Sequence, residues 1–277
     1  MTSRLSGVVY NYERAAVKSG EGGKLRLRIT FEPLESEKVT FPLNYNYGLE
    51  SLIYRHISDK LATFLHDEGY SVGKRSFKLF TFSRLFGKFD VDFSKESISF
   101  SGAIHFYISS PENDFLAQFA ESLMKSSKVD LFKQRLLLSS IEVHSVPLIG
   151  EEMLIRMLSP VTVYSTFFSL EGKKKTYYYS PFEDEFSRLI AENLAKKYQA
   201  FYKAAPQSTS LSITPVKVTK QSEKMVKYTP RKGPYTLVKG WMGIYELKGN
   251  PELIRIGYEA GIGSKNCQGF GMFEVMK

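Results

Sequence analysis

The sequence predicts an α+β protein of two tandem ferredoxin-like (RRM-like, βαββαβ) domains, and three observations predict it. Apolar residues alternate with polar ones in short β-branched and aromatic runs, as half-buried strands require. Two amphipathic stretches of helical period interrupt those runs in the first half, giving the order β, α, β, β, α, β of the split βαβ unit. The second half repeats that order more loosely, with no repeat at residue level.

The elements follow in turn. Leu25, Leu27, Ile29 and Phe31 alternate with Arg26, Arg28 and Thr30, and Pro33 ends this first strand. From Gly48 to His66, Leu49, Leu52, Ile53, Ile57, Leu61, Phe64 and Leu65 lie on one helical stripe. Residues 77–83 (FKLFTFS) and 98–107 (SISFSGAIHF) read as strands, Asn113–Lys125 as a helix, and Leu136–Val146 as a strand. Beyond Pro147 and Gly150 come strands at Met153–Leu158 and Val161–Phe168, then an amphipathic helix at Phe182–Tyr202. Leu211–Val218 and Tyr235–Leu247 are further strands, Pro251–Ala260 a short helix and Phe270–Val275 a closing strand. The expected organisation is a leader or disordered segment at 1–23, an N-terminal domain at 24–146 and a C-terminal domain at 147–277. The leader ends in the linker-like KSGEGGK and has Arg4, Glu13 and Arg14 where a secretory signal would be apolar.

Composition narrows the partner. Thirty-eight Lys and Arg against 29 Asp and Glu leave +9, which favours a polyanion, nucleic acid before anionic membrane. A single cysteine, Cys267, excludes an internal disulfide and a thiolate-rich metal site, and accords with a reducing cytoplasm. No apolar run approaches the length of a membrane span. There is no P-loop. Gly261-Ile262-Gly263 fails as a dinucleotide motif, because Asn266 stands where the third glycine belongs. Neither a zinc-type His/Cys spacing nor a carboxylate cluster for two metals is present, so no cofactor and no metal is expected.

The C-terminal stretch GYEAGIGSKNCQGFGM concentrates Gly257, Gly261, Gly263, Gly269 and Gly271 beside Lys265. Such a loop would let the backbone approach a phosphate and offer N–H groups to it; a flexible hairpin reads the same way. Two basic tracts would hold a nucleic-acid backbone, one with Lys74, Arg75 and Lys78, the other with Lys217, Lys220, Lys224, Lys227, Arg231 and Lys232. Each also reads as a solvated charged hairpin. Tyr177-Tyr178-Tyr179 beside Lys173-Lys174-Lys175 would stack bases or simply flank a strand.

The pattern from Gly257 to Met272, with FPLNYNYGLESLIYRHI at 41–57, LATFLH at 61–66 and KLFTFS at 78–83, resembles the endoribonucleases that process CRISPR repeat transcripts. These form the sixth CRISPR-associated family of the RAMP superfamily. The resemblance runs from about Leu25 to the C-terminus and is loose between Pro111 and Thr214. It implies metal-independent cleavage of repeat RNA by 2′-OH attack, giving 2′,3′-cyclic phosphate and 5′-OH ends. The partners it implies are precursor repeat RNA and CRISPR effector-complex subunits, with the chain a monomer or homodimer off the membrane. The family's catalytic tyrosine, histidine and lysine fall on Tyr54, His66 and Lys78. The spacer before the histidine is shorter than the family's and lacks a proline, and the basic loop before Lys78 is longer. The rival reading is a non-catalytic RNA-binding subunit of an effector complex.

Chemistry suits those assignments. Tyr54 would orient or deprotonate the 2′-OH, His66 would protonate the 5′-oxygen, and Lys78 would stabilise charge on phosphorus. Singly, each has a plainer reading: a tyrosine at a helix edge, a histidine capping a helix. His56, His105 and His144 read as structural. Twelve residues of unbroken helix would hold Tyr54 and His66 about 18 Å apart, so a break is expected at Ser58-Asp59.

Overall fold

The computed structural model describes residues 25–169, 171–228 and 235–276. The expected leader at 1–23, together with Arg231 and Lys232, lies outside the described residues. In the first half the strands are β1 (Leu25–Pro33), β2 (Lys38–Pro42), β3 (Tyr70–Val72), β4 (Arg75–Phe77), β5 (Thr81–Phe82), β6 (Phe86–Asp92), β7 (Ser97–Ser109), β8 (Lys128–Leu131) and β9 (Gln134–Ser145). The helices α1 (Asn46–Arg55), α2 (Asp59–Thr63) and α3 (Asn113–Ser126) join them. The second half has β10 (Glu152–Met157), β11 (Tyr164–Phe168), β12 (Lys174–Tyr178), α4 (Asp184–Tyr202), β13 (Leu211–Lys217), β14 (Glu223–Tyr228), β15 (Thr236–Trp241), β16 (Ile244–Gly249), α5 (Pro251–Ala260) and β17 (Phe273–Val275).

Both halves are ferredoxin-like. In the first sheet β9, β1 and β7 lie side by side and antiparallel, with β5 and β6 on the far edge of β7. The second sheet runs β13-β16-β10-β17, the same interleaved order. The alternation of β1 buries Leu27, Ile29 and Phe31 beneath α1 and α3, whose Leu49, Leu52, Phe115, Leu116 and Phe119 close that core. A second cluster gathers Ile155, Ile190, Leu194, Tyr245, Leu247 and Phe273. Among the described residues no helix is long and apolar enough to cross a membrane.

Two expected strands are corrected. FKLFTFS is not continuous: β4 stops at Phe77, Leu79 takes a positive φ of 50°, and β5 resumes at Thr81. Leu79 and Phe80 are consecutive and both buried, which period-two alternation forbids, so the chain kinks and leaves Lys78 partly exposed. Tyr235–Leu247 is likewise two strands. At Gly243 (φ 134°) the chain changes partners, β15 pairing with β14 and β16 with β10 and β13. A Cβ there would lie 2.6 Å from the Lys217 carbonyl. The strands β2, β6, β8, β12 and β14 lie outside the expected ones. β2 and β8 do alternate, burying Val39, Phe41, Val129 and Leu131, but are only five and four residues long. β6, β12 and β14 are exposed or half-buried along their length and bury little on either face.

The two sheets meet through main-chain oxygens. Arg26, 3% exposed, donates to Phe273 O (2.8 Å) and Tyr258 O (2.9 Å) and lies 3.7 Å over the Tyr258 ring. Thr81 Oγ1 donates to Phe270 O (3.0 Å), Asn46 Nδ2 to Gln268 O (2.8 Å) and Ser109 Oγ to Tyr258 O (3.3 Å). Replacing Arg26 with Met should keep the stem but strand two buried carbonyls. The expected cost is about 3 kcal/mol, read as a lower midpoint in urea unfolding.

Candidate active site

The break at Ser58 is present. Ser58 is extended (φ −63°, ψ 148°) and its hydroxyl caps α2 by accepting from Leu61 N at 3.4 Å. The short α2 then widens into a π-type turn, Phe64–Glu68, where the His66 side chain points outward at 82% exposure. His66 Nδ1 is 2.6 Å from the Asp67 carboxylate, so Nε2 is the ring nitrogen left to face a substrate. Lys78, set free by the kink after β4, donates from Nζ to His66 O at 2.6 Å. Histidine and lysine thus share one lip.

Beside that lip a cavity of about 400 Å³ opens between the two halves. Arg75, Lys78 and Phe80 line it from the first half, and Tyr164, Asn193, Lys197 and Lys265 from the second. Tyr54 and His66 are not part of the lining. Tyr54 stands behind it on α1, its ring edge-on to Phe80 at 5.9 Å. Burial, then the nearby Cys267 and Glu50, push its phenol above the ordinary tyrosine range. No cation lowers it, so Tyr54 is suited to orienting a hydroxyl and poorly suited to deprotonating one.

The glycine-rich loop is built otherwise than expected. Gly261, Gly263, Gly269 and Gly271 are buried and all have positive φ, between 68° and 82°. Gly269 N–H donates to Asn266 O and Gly271 N–H to Pro160 O, so neither is offered to a phosphate. The loop's carbonyls point inward. Lys197, 2% exposed, donates to Gly261 O (2.7 Å), Gly263 O (3.1 Å) and Asn266 Oδ1 (2.6 Å). Asn266 Nδ2 in turn donates to Ile262 O and Phe270 O, each at 3.0 Å. Burial pushes the Lys197 ammonium down to about 7, yet three oxygens match its three protons and favour the charged form. From the loop, Gly263, Ser264, Lys265, Asn266 and Cys267 line the cleft. Lys265 Nζ also lies 5.5 Å over the Tyr164 ring.

The basic tracts divide. Arg75 lines the cleft, whereas Lys74 sits on the exposed β3–β4 turn. Lys217, Lys220, Lys224 and Lys227 follow the end of β13 and β14 and are absent from the lining; Lys227 pairs with Glu96 at 3.7 Å. His56 donates from Nδ1 to Leu52 O (2.8 Å) and packs edge-on to Phe119, while His105 stacks on Phe86 at 5.4 Å. Among the described residues no three His, Cys, Asp or Glu side chains gather closely enough to hold a metal ion. Reading the sequence missed Lys197 and Glu50. The first had a signal: it falls in register with Phe186, Ile190, Asn193 and Leu194 on the buried stripe of α4. Glu50, one turn before Tyr54, had none.

Paired ferredoxin-like domains around a lysine-lined cleft place the chain in the tandem-domain class. Family models for the CRISPR-associated protein Cas6 match it, the N-terminal one over residues 40–142 and the C-terminal one over 142–275. CRISPR-associated endoribonuclease Cas6 of Pyrococcus furiosus is 30% identical over 257 residues, 91% of this chain and 90% of the relative. CRISPR-associated endoribonuclease Cas6 1 of Methanocaldococcus jannaschii is 27% identical over 256 residues, 89% of this chain and 91% of the relative. A solved structure described as a Cas6-related gene product from Pyrococcus furiosus superposes with a TM-score of 0.79 at 24% identity, covering 92% of this chain and 99% of its own. Another, described as a RAMP protein binding different RNA substrates, has a TM-score of 0.77 at 23% identity over 91% and 100%. The chain belongs to the Cas6 family.

Lys197→Met should leave Asn266 Oδ1 and two buried carbonyls without a donor. Stability should fall by about 3 kcal/mol in urea unfolding.

Proposed function

We propose that this chain is a metal-independent endoribonuclease that cleaves CRISPR repeat RNA, with residues 24–146 and 147–277 as the two domains between which the RNA is cut. The observation that carries the reading is the lip where the Lys78 ammonium rests on the main chain of His66, beside the cleft that Lys265 also lines. Lys78 and Lys265 would hold the scissile phosphate by charge-assisted hydrogen bonds and stabilise the charge that grows on it. Tyr54 would orient the ribose 2′-OH, which loses its proton to solvent as the 2′-oxygen bonds to phosphorus. The bond from phosphorus to the 5′-oxygen then breaks. His66, oriented through Nδ1 by Asp67, would deliver a proton from Nε2 to that leaving oxygen. The ends produced are a 2′,3′-cyclic phosphate and a 5′-OH. Lys217, Lys220, Lys224 and Lys227 would follow the RNA backbone beyond the cleft, where a net charge of +9 also attracts it. The setting is the cytoplasm, with the chain a monomer or homodimer able to hand its product to effector-complex subunits.

The names of the relatives support an endoribonuclease, and the residue types at Tyr54, His66 and Lys78 support acid–base rather than metal chemistry. Cleavage of cognate repeat RNA in EDTA tests both. Wild-type protein is expected to cut at an undiminished rate, and His66→Ala at least about a hundredfold more slowly with binding retained. A protein that shifts repeat RNA without ever cutting it would be a non-catalytic binding subunit instead.

A further inference from the structure

Glu50 lies on the same face of α1 as Tyr54, one turn earlier, and elements of the second half converge on it. The Tyr228 hydroxyl, at the end of β14, donates to its carboxylate, and the Cys267 thiol of the glycine-rich loop does the same. Neighbouring residues of α1 reinforce that joint: Tyr47 packs edge-on to Tyr228 at 6.1 Å, and Asn46 holds Gln268 O. We propose that Glu50 is a positioning residue, the joint that holds the β14–β15 hairpin and the glycine-rich loop against Tyr54, and that it takes up a proton when RNA enters the cleft. The proposal rests on the cleft being the RNA site.

The charges around Glu50 set the sign. Lys265 from the glycine-rich loop and His66 from the π-type turn favour its ionised form, as do the Tyr228 and Cys267 donors. Burial opposes all of these and raises the carboxyl to about 7. The Cys267 thiol, pushed up to about 12 by burial and by Glu50, stays protonated as a donor, and the Tyr54 and Tyr228 phenols are raised as well. An RNA phosphate on Lys78 and Lys265 would take those cations for itself and add a negative charge. The carboxyl would then hold its proton to higher pH. Bound protein carries more protons than free protein, so affinity rises as pH falls through neutrality.

The test is the affinity for repeat RNA at fixed ionic strength from pH 6 to 8, in a His66→Ala background that keeps the RNA uncut. Kd should rise roughly tenfold across that range, the scale of one linked proton. Adding Glu50→Gln, which keeps an acceptor for Tyr228 but cannot ionise, should flatten the profile at its low-pH affinity. Adding Tyr228→Phe, which keeps the ring on Tyr47 and removes one donor, should move the midpoint to higher pH. Parallel profiles with and without Glu50→Gln, or a Tyr228→Phe midpoint that stays put or falls, would overturn the proposal. Failure of the acid assignment is seen separately, as product formed by His66→Ala on the same gels.

Discussion

An ammonium buried under a loop of glycines is an expensive arrangement unless every proton has an oxygen, and here each of the three has one. Lys197 gathers Gly261 O, Gly263 O and Asn266 Oδ1, and Asn266 spans the loop from Ile262 O to Phe270 O. The glycines are needed because this inward folding leaves no room for side chains: a Cβ at Gly263 would lie 2.5 Å from Thr162 O, and one at Gly271 would collide with Ile262 O. The loop is rigid through its own polar interior. Its outward residues, Lys265 and Cys267, are therefore held at defined places on the cleft wall.

The same loop is the seam. Its carbonyls at Gln268 and Phe270 receive donors from Asn46 on α1 and Thr81 on β5, and Arg26 reaches past it to Phe273 and Tyr258. The kink that frees Lys78 lies just before Thr81, so the lip of His66 and Lys78 and the glycine-rich wall are tied together by a few short hydrogen bonds. Main-chain oxygens supply nearly all of these acceptors. The docking depends on backbone placement more than on the identity of surface side chains.

Much of this was legible from residues alone. The alternation of Leu25 to Phe31 and the stripe of α1 follow from period, and the break at Ser58 follows from helix rise once the resemblance sets Tyr54 and His66 at one site. The kink at Leu79 was hidden, because FKLFTFS satisfies strand composition while Leu79-Phe80 violates strand geometry only once both are known to be buried. Glycine spacing announced a special backbone but not its direction, and the direction decides whether N–H groups or a lysine face the ligand. Lys197 was visible as a charge on an apolar stripe. Glu50 was not, since its partners Tyr228 and Cys267 are distant in sequence and only the fold brings them to α1.

A structure of the His66→Ala protein with uncut repeat RNA tests the central claim most directly. The account predicts the scissile phosphate between the ammonium groups of Lys78 and Lys265, about 3 Å from each, with its 5′-oxygen facing the place vacated by the imidazole. RNA bound along another surface, with the cleft between the two sheets empty, would contradict it.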